Sequence, residues 1–177
     1  MIIEQLEVGN FAVFVYILGC KETGEGIVID PADEVDRILR TAEKKGIKSI
    51  KYIVNTHCHA DHCGGNRELK EKTGAKIIIH EDDAERLANP SPFILQLFNC
   101  EASPPADLTV KDGDLIEFGN ESLQVIHTPG HTPGGMCLYT PGHVFTGDTL
   151  FVGSIGRTDL PGGSMQTLLN SIKTRLL

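Results

Sequence analysis

Residues 56–62 read Thr-His-Cys-His-Ala-Asp-His. His57, His59, Asp61 and His62 thus put three imidazoles and a carboxylate, all metal-ligand types, within six positions. Strand-like alternation lets His57 and His59 share one face, while Asp61 and His62 can turn toward a second ion. Two later segments supply what this run lacks. Thr128-Pro129-Gly130-His131-Thr132-Pro133-Gly134-Gly135 is a tight turn with one histidine at its apex, and Phe145-Thr146-Gly147-Asp148-Thr149 is a strand end opening into a turn with one carboxylate. Alone, either residue reads as a hydrogen-bonding loop side chain. Beside the first run both gain weight, because two metals about 3.5 to 4 Å apart need a bridging carboxylate, and Asp148 is the natural one. The pattern points to a centre of one or two metal ions.

The elements around these residues must hold them at the edge of a sheet. Ile50-Lys51-Tyr52-Ile53-Val54 is a short β-rich segment leading into the ligand run, and Cys63-Gly64-Gly65-Asn66 leads out of it toward a helix over Arg67 to Thr73, punctuated by Gly74. The ligands therefore lie on a strand-to-helix loop, where a rigid scaffold aims functional side chains. Upstream, Phe11–Leu18 and Gly26–Asp30 read as buried strands. Val35, Ile38, Leu39 and Ala42 recur at helical spacing up to Gly46. Ile77–Ile79 is the next strand. Four prolines make Asn89 to Asp107 a surface excursion with one short helix around Ile94 to Phe98. Strands resume at Asp114–Phe118, Leu123–His127, Gly135–Tyr139 and His143–Phe145, and the tail from Met165 to Leu177 has helical spacing. Nothing divides the chain, so residues 1–177 are read as one α/β or α+β domain.

Composition narrows the function classes. With 40% hydrophobic and 23% charged residues, 177 positions suffice for one well-buried core. A net charge of −8 argues against nucleic-acid binding. No apolar run reaches membrane-spanning length, and the N-terminal residues lack the basic start of a signal peptide. Five cysteines, an odd number, point to free thiols in a reducing compartment. The expectation is a cytoplasmic protein acting on a small molecule, with no nucleic-acid or membrane partner and with homo-oligomerisation left open.

The three segments in this order resemble the metallo-β-lactamase fold superfamily, and within it the glyoxalase II branch of hydroxyacylglutathione hydrolases, in its compact bacterial form. The likeness extends through Asp61-His62-Cys63-Gly64-Gly65-Asn66 and Gly153-Ser154-Ile155-Gly156-Arg157-Thr158-Asp159-Leu160-Pro161. It implies an α+β architecture, an αβ/βα sandwich of two mixed sheets with helices outside. It also implies that His57, His59 and His131 bind one metal, that Asp61 and His62 bind a second, that Asp148 bridges, and that Asp61 has a catalytic part. One or two divalent transition metals are expected, zinc foremost, with iron or manganese suited to the same mixed ligands. The implied reaction is attack of a hydroxide held between the metals on the carbonyl of an S-2-hydroxyacyl thioester.

Two departures accompany the likeness. The family has a further histidine in a Gly-His-Gly-type turn after the final helix, and this sequence reaches Leu177 without one, so the domain is expected to be incomplete at its C-terminal end. The helical domain with which larger glyoxalase II enzymes hold glutathione is also absent, which makes thioester hydrolysis the firmer inference and glutathione the weaker. The rival enzyme is a persulfide dioxygenase of the same fold, whose single iron would use His57, His131 and Asp148. An inactive binding scaffold is the non-enzymatic alternative. Other residues receive plain readings: Cys58 and Cys63 do not ligate, Cys20, Cys100 and Cys137 fill the core, His127 packs, and His80 and His143 lie at the surface or in turns. Arg157 and Asp159 form an ion pair or hold the loop against substrate.

Overall fold

In the computed structural model, which describes residues 1–177, the apolar alternation of three central strands sorts side chains into two separate cores. Strand β3 (Glu25–Ile29) sends Val28 to one core and Ile27 and Ile29 to the other, β4 (Ser49–Val54) divides Ile53 from Val54, and β5 (Lys76–His80) divides Ile77 and Ile79 from Ile78. A strand buried on both faces needs no polar alternation, which is why these segments read as continuous apolar runs. With β1 (Ile2–Val8), β2 (Val13–Gly19) and β6 (Leu108–Val110) they form a six-stranded mixed sheet in the order β1-β2-β3-β4-β5-β6. Its first three strands pair antiparallel and β3 to β6 run parallel.

The outer face of this sheet is covered by helices. Val35, Ile38 and Ala42 of α1 (Val35–Lys44) and Leu69 of α3 (Asn66–Thr73) join the core that contains Val28, Ile53 and Ile77. The inner face meets a second sheet of four antiparallel strands, β7 (Leu115–Phe118), β8 (Glu121–His127), β9 (Met136–Thr140) and β10 (His143–Phe145). Phe118, Leu123, Val125, Met136, Leu138 and Phe145 fill the space between the sheets. The result is a sandwich of two sheets flanked by helices, as the resemblance implies.

This topology sets the position of the site. Ile29, Val54 and Ile78 lie in register across parallel strands, so the segments that leave β3, β4 and β5 emerge side by side. Both β8 and β10 run antiparallel to β9, and their C-terminal ends also share one edge. Chain leaving five strands therefore converges. The short helix α2 (Ala60–Cys63) follows β4, and helices α4 (Ala84–Ala88) and α5 (Pro92–Phe98) follow β5. A small hairpin, β11 (Leu150–Phe151) with β12 (Ser154–Ile155), follows β10.

Several boundaries differ from the sequence reading. The strand expected from Phe11 begins at Val13, because residues 9–12 turn with Gly9 and Ala12 at positive φ. Strand β1 escaped detection since its exposure pattern alternates weakly, and β6, β11 and β12 have only two or three residues each. The excursion at residues 89–107 does carry one helix, α5, whose N-terminus is capped by Ser91 Oγ accepting from Ile94 N at 3.3 Å. The tail is α-helical only over α6 (Met165–Ser171) and widens into a π-turn over Ile172–Leu176. No helix is long and apolar enough to cross a membrane.

Candidate metal centre

His57 and His59 leave β4 beyond its last paired residue, and His59 occupies the extended position before α2, which carries Asp61 and His62 in its single turn. His131 stands in the loop after β8, and Asp148 in the turn after β10. All six residues meet at one edge. The ring centroids of His57, His59 and His131 form a near-equilateral triangle with sides of 4.6 to 4.8 Å. One ligating atom from each of these rings lies within 4.8 Å of the others. His57 and His59 thus do turn to the same point, although from a loop rather than a strand. Asp148 spans the centre: Oδ2 lies 3.5 Å from Nε2 of His131 and Oδ1 lies 3.2 Å from Nε2 of His62. Asp61 Oδ2 is 3.9 Å from the same His62 nitrogen.

Hydrogen bonds fix which nitrogens face inward. Nδ1 of His131 donates to the carbonyl of Arg157 at 2.7 Å, which leaves the lone pair on Nε2. Thr56 Oγ1 donates to Asp30 Oδ2 at 2.6 Å and so accepts from His57 Nδ1 at 3.1 Å, again freeing Nε2. Nε2 of His57 and Nε2 of His131 are both buried without any hydrogen-bond partner. Buried polar atoms are nearly always satisfied, and two orphaned lone pairs aimed at one point fit a bound cation. The residues present therefore suit the divalent metal that the resemblance implies.

Electrostatics separate the two halves of the centre. Burial, followed by the neighbouring histidines, lowers His57 well below the ordinary imidazole range and lowers His59 to about 4. Both are neutral at physiological pH, the form in which an imidazole can ligate. Burial would also lower His62, but Asp148 and Asp30 on its two sides outweigh it and raise it well above the ordinary range. Burial acts upward on Asp148 too, yet its contact with His62 holds it below the usual carboxylate value, whereas burial leaves Asp61 raised.

Two buried carboxylates that carried no assignment in the sequence reading brace these loops. Asp30 accepts from Thr56 N at 2.8 Å, from Thr56 Oγ1, and from His62 Nδ1 at 3.0 Å. It does so from a left-handed backbone (φ 51) immediately before Pro31, a conformation disfavoured for a residue preceding proline. Asp83 accepts from Cys58 N at 3.0 Å, Thr132 Oγ1 at 2.7 Å and Gly134 N at 2.8 Å, which ties the first ligand loop to the His131 loop. An Asp before a proline at a strand end was the one local signal for Asp30, while Asp83 had none. Gly156 completes the bracing, for a Cβ there would sit 1.7 Å from the carbonyl oxygen of Asp148 and 3.2 Å from His131 Nδ1.

Cys58 and Cys63 are buried and their thiols are pushed up by burial, so neither is set to be a thiolate ligand. Cys20 and Cys137 lie in the interior, whereas Cys100 is partly exposed, on a loop beside α2 rather than in the core. His143 is exposed, as expected. His80 is not at the surface: it ends β5 with 3% exposure, because Ile78 and Ile79 carry it into the sandwich edge. Arg157 and Asp159 do form a two-pronged ion pair at 2.8 and 2.7 Å, and both are exposed. A cavity of about 550 Å³ opens onto Asp61, His62 and Asp148, walled by Phe14, Tyr16 and Phe151.

Comparison with known proteins agrees with this geometry. The chain belongs to the metallo-β-lactamase superfamily, whose domain model matches residues 8–177. It is a metallo-hydrolase of that superfamily, whose members bind divalent metals. It is similar to the hydroxyacylglutathione hydrolase GloC of Haemophilus influenzae, with 35% identity over 155 residues, covering 85% of this chain and 73% of the relative. Among solved structures, the BLEG-1 B3 metallo-β-lactamase shares 27% identity with a TM-score of 0.89, covering 99% of this chain and 85% of that one. TTHA1623, in a di-iron-bound form, shares 30% identity with a TM-score of 0.84 over 96% of this chain and 84% of its own.

Proposed function

We propose that this protein hydrolyses S-2-hydroxyacyl thioesters, small-molecule substrates that enter beside Asp61, His62 and Asp148. The observation that carries the proposal is the pair of orphaned imidazole nitrogens facing a carboxylate with one oxygen toward each half of the centre. The similarity to a hydroxyacylglutathione hydrolase supports the choice of a thioester. His57, His59 and His131 would hold one divalent ion, Asp61 and His62 would serve a second, and Asp148 would reach both. Bound metal supplies Lewis acidity, which lowers the pKa of water to about 7 and polarises a carbonyl. Zinc, iron and manganese all suit this mixed nitrogen and oxygen donor set.

The chain's own residues do the rest. His131 is oriented by the Arg157 carbonyl, and His57 by Thr56 and Asp30, so the imidazoles need no reorganisation during turnover. Asp61, its carboxyl raised by burial, is placed to take up the proton that water loses as the new C–O bond forms. The C–S bond breaks and the sulfur leaves as a thiol once reprotonated, so the products are a 2-hydroxy acid and a thiol. No cysteine or serine nucleophile takes part.

An oxygen-free assay of the metal-loaded protein with an S-lactoyl thioester tests this. Cleavage by the wild type and loss of most activity in His59→Ala are expected. In a parallel aerobic assay, oxygen uptake driven by glutathione persulfide, with the thioester left intact in the oxygen-free one, would replace the hydrolase reading with that of a dioxygenase.

A further inference from the structure

Asn66 follows the run that holds His57, His59, Asp61 and His62 and begins α3, while Asn55 precedes that run as the first residue beyond β4. Both are fully buried. Eleven positions apart in sequence, their side-chain amides bond to each other: Asn66 Nδ2 donates to Asn55 Oδ1 at 2.7 Å, and Asn55 Nδ2 donates to Asn66 Oδ1 at 3.3 Å. Ser103 fixes the orientation of the pair. Its hydroxyl hydrogen goes to the Pro104 carbonyl at 2.8 Å, so its oxygen accepts from Asn66 Nδ2, also at 2.8 Å. Two amides in the interior are costly unless these bonds are made, and they are made only when residues 55 and 66 stand side by side. We propose that Asn55 and Asn66 are positioning residues for the metal centre, an amide clasp that closes the base of segment 56–65 and sets the aim of the ligands on it before metal binds.

The inference rests on the metal centre proposed for those ligands and not on the thioester reading. Each end of the segment is also tied to a neighbour outside it. Asn55 N donates to the Ile78 carbonyl at 2.9 Å, which fixes the entrance to β5. Gly65 N donates to the Pro31 carbonyl at 2.7 Å, and a Cβ on Gly65 would sit 2.3 Å from that oxygen, so the exit is pressed against the turn that carries Asp30. Asp30 and Asp83 grip the segment at Thr56, Cys58 and His62. The clasp adds what they do not, a fixed separation between entrance and exit. Neither amide hydrogen-bonds to a ligand side chain, so both act through the backbone, two residues from His57 at one end and four from His62 at the other. A segment closed in this way has less freedom to lose when an ion is bound.

Cobalt(II) titration read by visible absorption tests the clasp. Asn55→Leu/Asn66→Leu replaces both amides with apolar groups of similar size, an exchange close to neutral for stability because neither amide is left without its partner. Ser103 keeps its bond to Pro104 in that variant. The wild type should take up cobalt, and the folded double variant should bind it roughly 10- to 100-fold more weakly and with a shifted ligand-field spectrum, as loss of groups that orient metal ligands costs. Hydrogen exchange on the metal-free wild type gives a reading that needs no variant: the side-chain amide protons of Asn55 and Asn66 should exchange slowly, because the clasp is already closed. Exchange as fast as that of an exposed amide overturns the proposal. Unchanged cobalt affinity and spectrum in the folded double variant also overturn it, with the centre left intact. A wild type that takes up no cobalt overturns the centre itself and the clasp's part in it together.

Discussion

Two histidines held neutral, His57 and His59, and one held toward its protonated form, His62, give the two halves of the centre opposite responses to pH. Burial lowers His59 to about 4 and holds His57 well below the ordinary imidazole range, so protons compete for these two side chains only in acid. Protonation of His57 and His59 should therefore cost metal affinity only well below about pH 6.5, the ordinary imidazole value. His62 is raised, so an ion at Asp61, His62 and Asp148 must displace a proton, and affinity there should rise as pH increases above neutrality. Chelator competition across about pH 5 to 8.5 reads both trends, and a common midpoint near 6.5 for the two sites would contradict them. All six ligand-type residues were legible in the sequence because four are contiguous and two sit in Gly/Pro-rich turns. Asp30 and Asp83 were not, since what makes them matter is contact with residues 25 to 51 positions away.

Loops, rather than strands, carry the chemistry, and they are held by a few buried polar contacts. Asp83 joins the loop after β4 to the loop after β8, Ser171 Oγ of α6 donates to the carbonyl of Pro129 at 2.8 Å, and the backbone of Gly130 lies against Leu168. Removing the Asp83 carboxylate would leave the Cys58 and Gly134 amides and the Thr132 hydroxyl buried without an acceptor. At about 1–3 kcal/mol for each orphaned group, Asp83→Ala should destabilise the fold by about 3 kcal/mol or more, and it should also lower metal occupancy. Denaturant midpoints for the metal-free chain measure the first effect and metal analysis of the folded protein the second. An Asp83→Ala protein with unchanged midpoint and unchanged metal would show that the two loops hold themselves. The helices and central strands were readable from apolar spacing, but strand ends were not: Phe11 and Ala12 are apolar yet turn, because a positive φ at Gly9 and Ala12 reverses the chain.

At the scale of the molecule, the sandwich works by bringing chain ends from two sheets to one edge. Phe118 is fully buried between the sheets, among Leu123, Ile116 and the inner face of β3. Phe118→Ala should cost about 3–5 kcal/mol of stability, seen as a lower urea midpoint, because the rigid sheets cannot close the void. A loss below about 1 kcal/mol would mean that the interface repacks freely. The fold class followed from alternating strand and helix signals together with the metal motif. Pairing of the strands into six and four did not, because register depends on contacts between segments that local spacing does not encode.

Metal content is the most direct measure of the account, since the hydrolase chemistry rests on His57, His59 and His131 converging on one ion. Protein purified without added metal should carry at least one transition metal per chain by elemental analysis. The folded double variant His57→Ala/His131→Ala should carry none at that site, because removing two of three neutral imidazoles leaves no competent donor set. Full occupancy in a folded double variant would contradict the assignment of the centre and with it the reaction proposed for it.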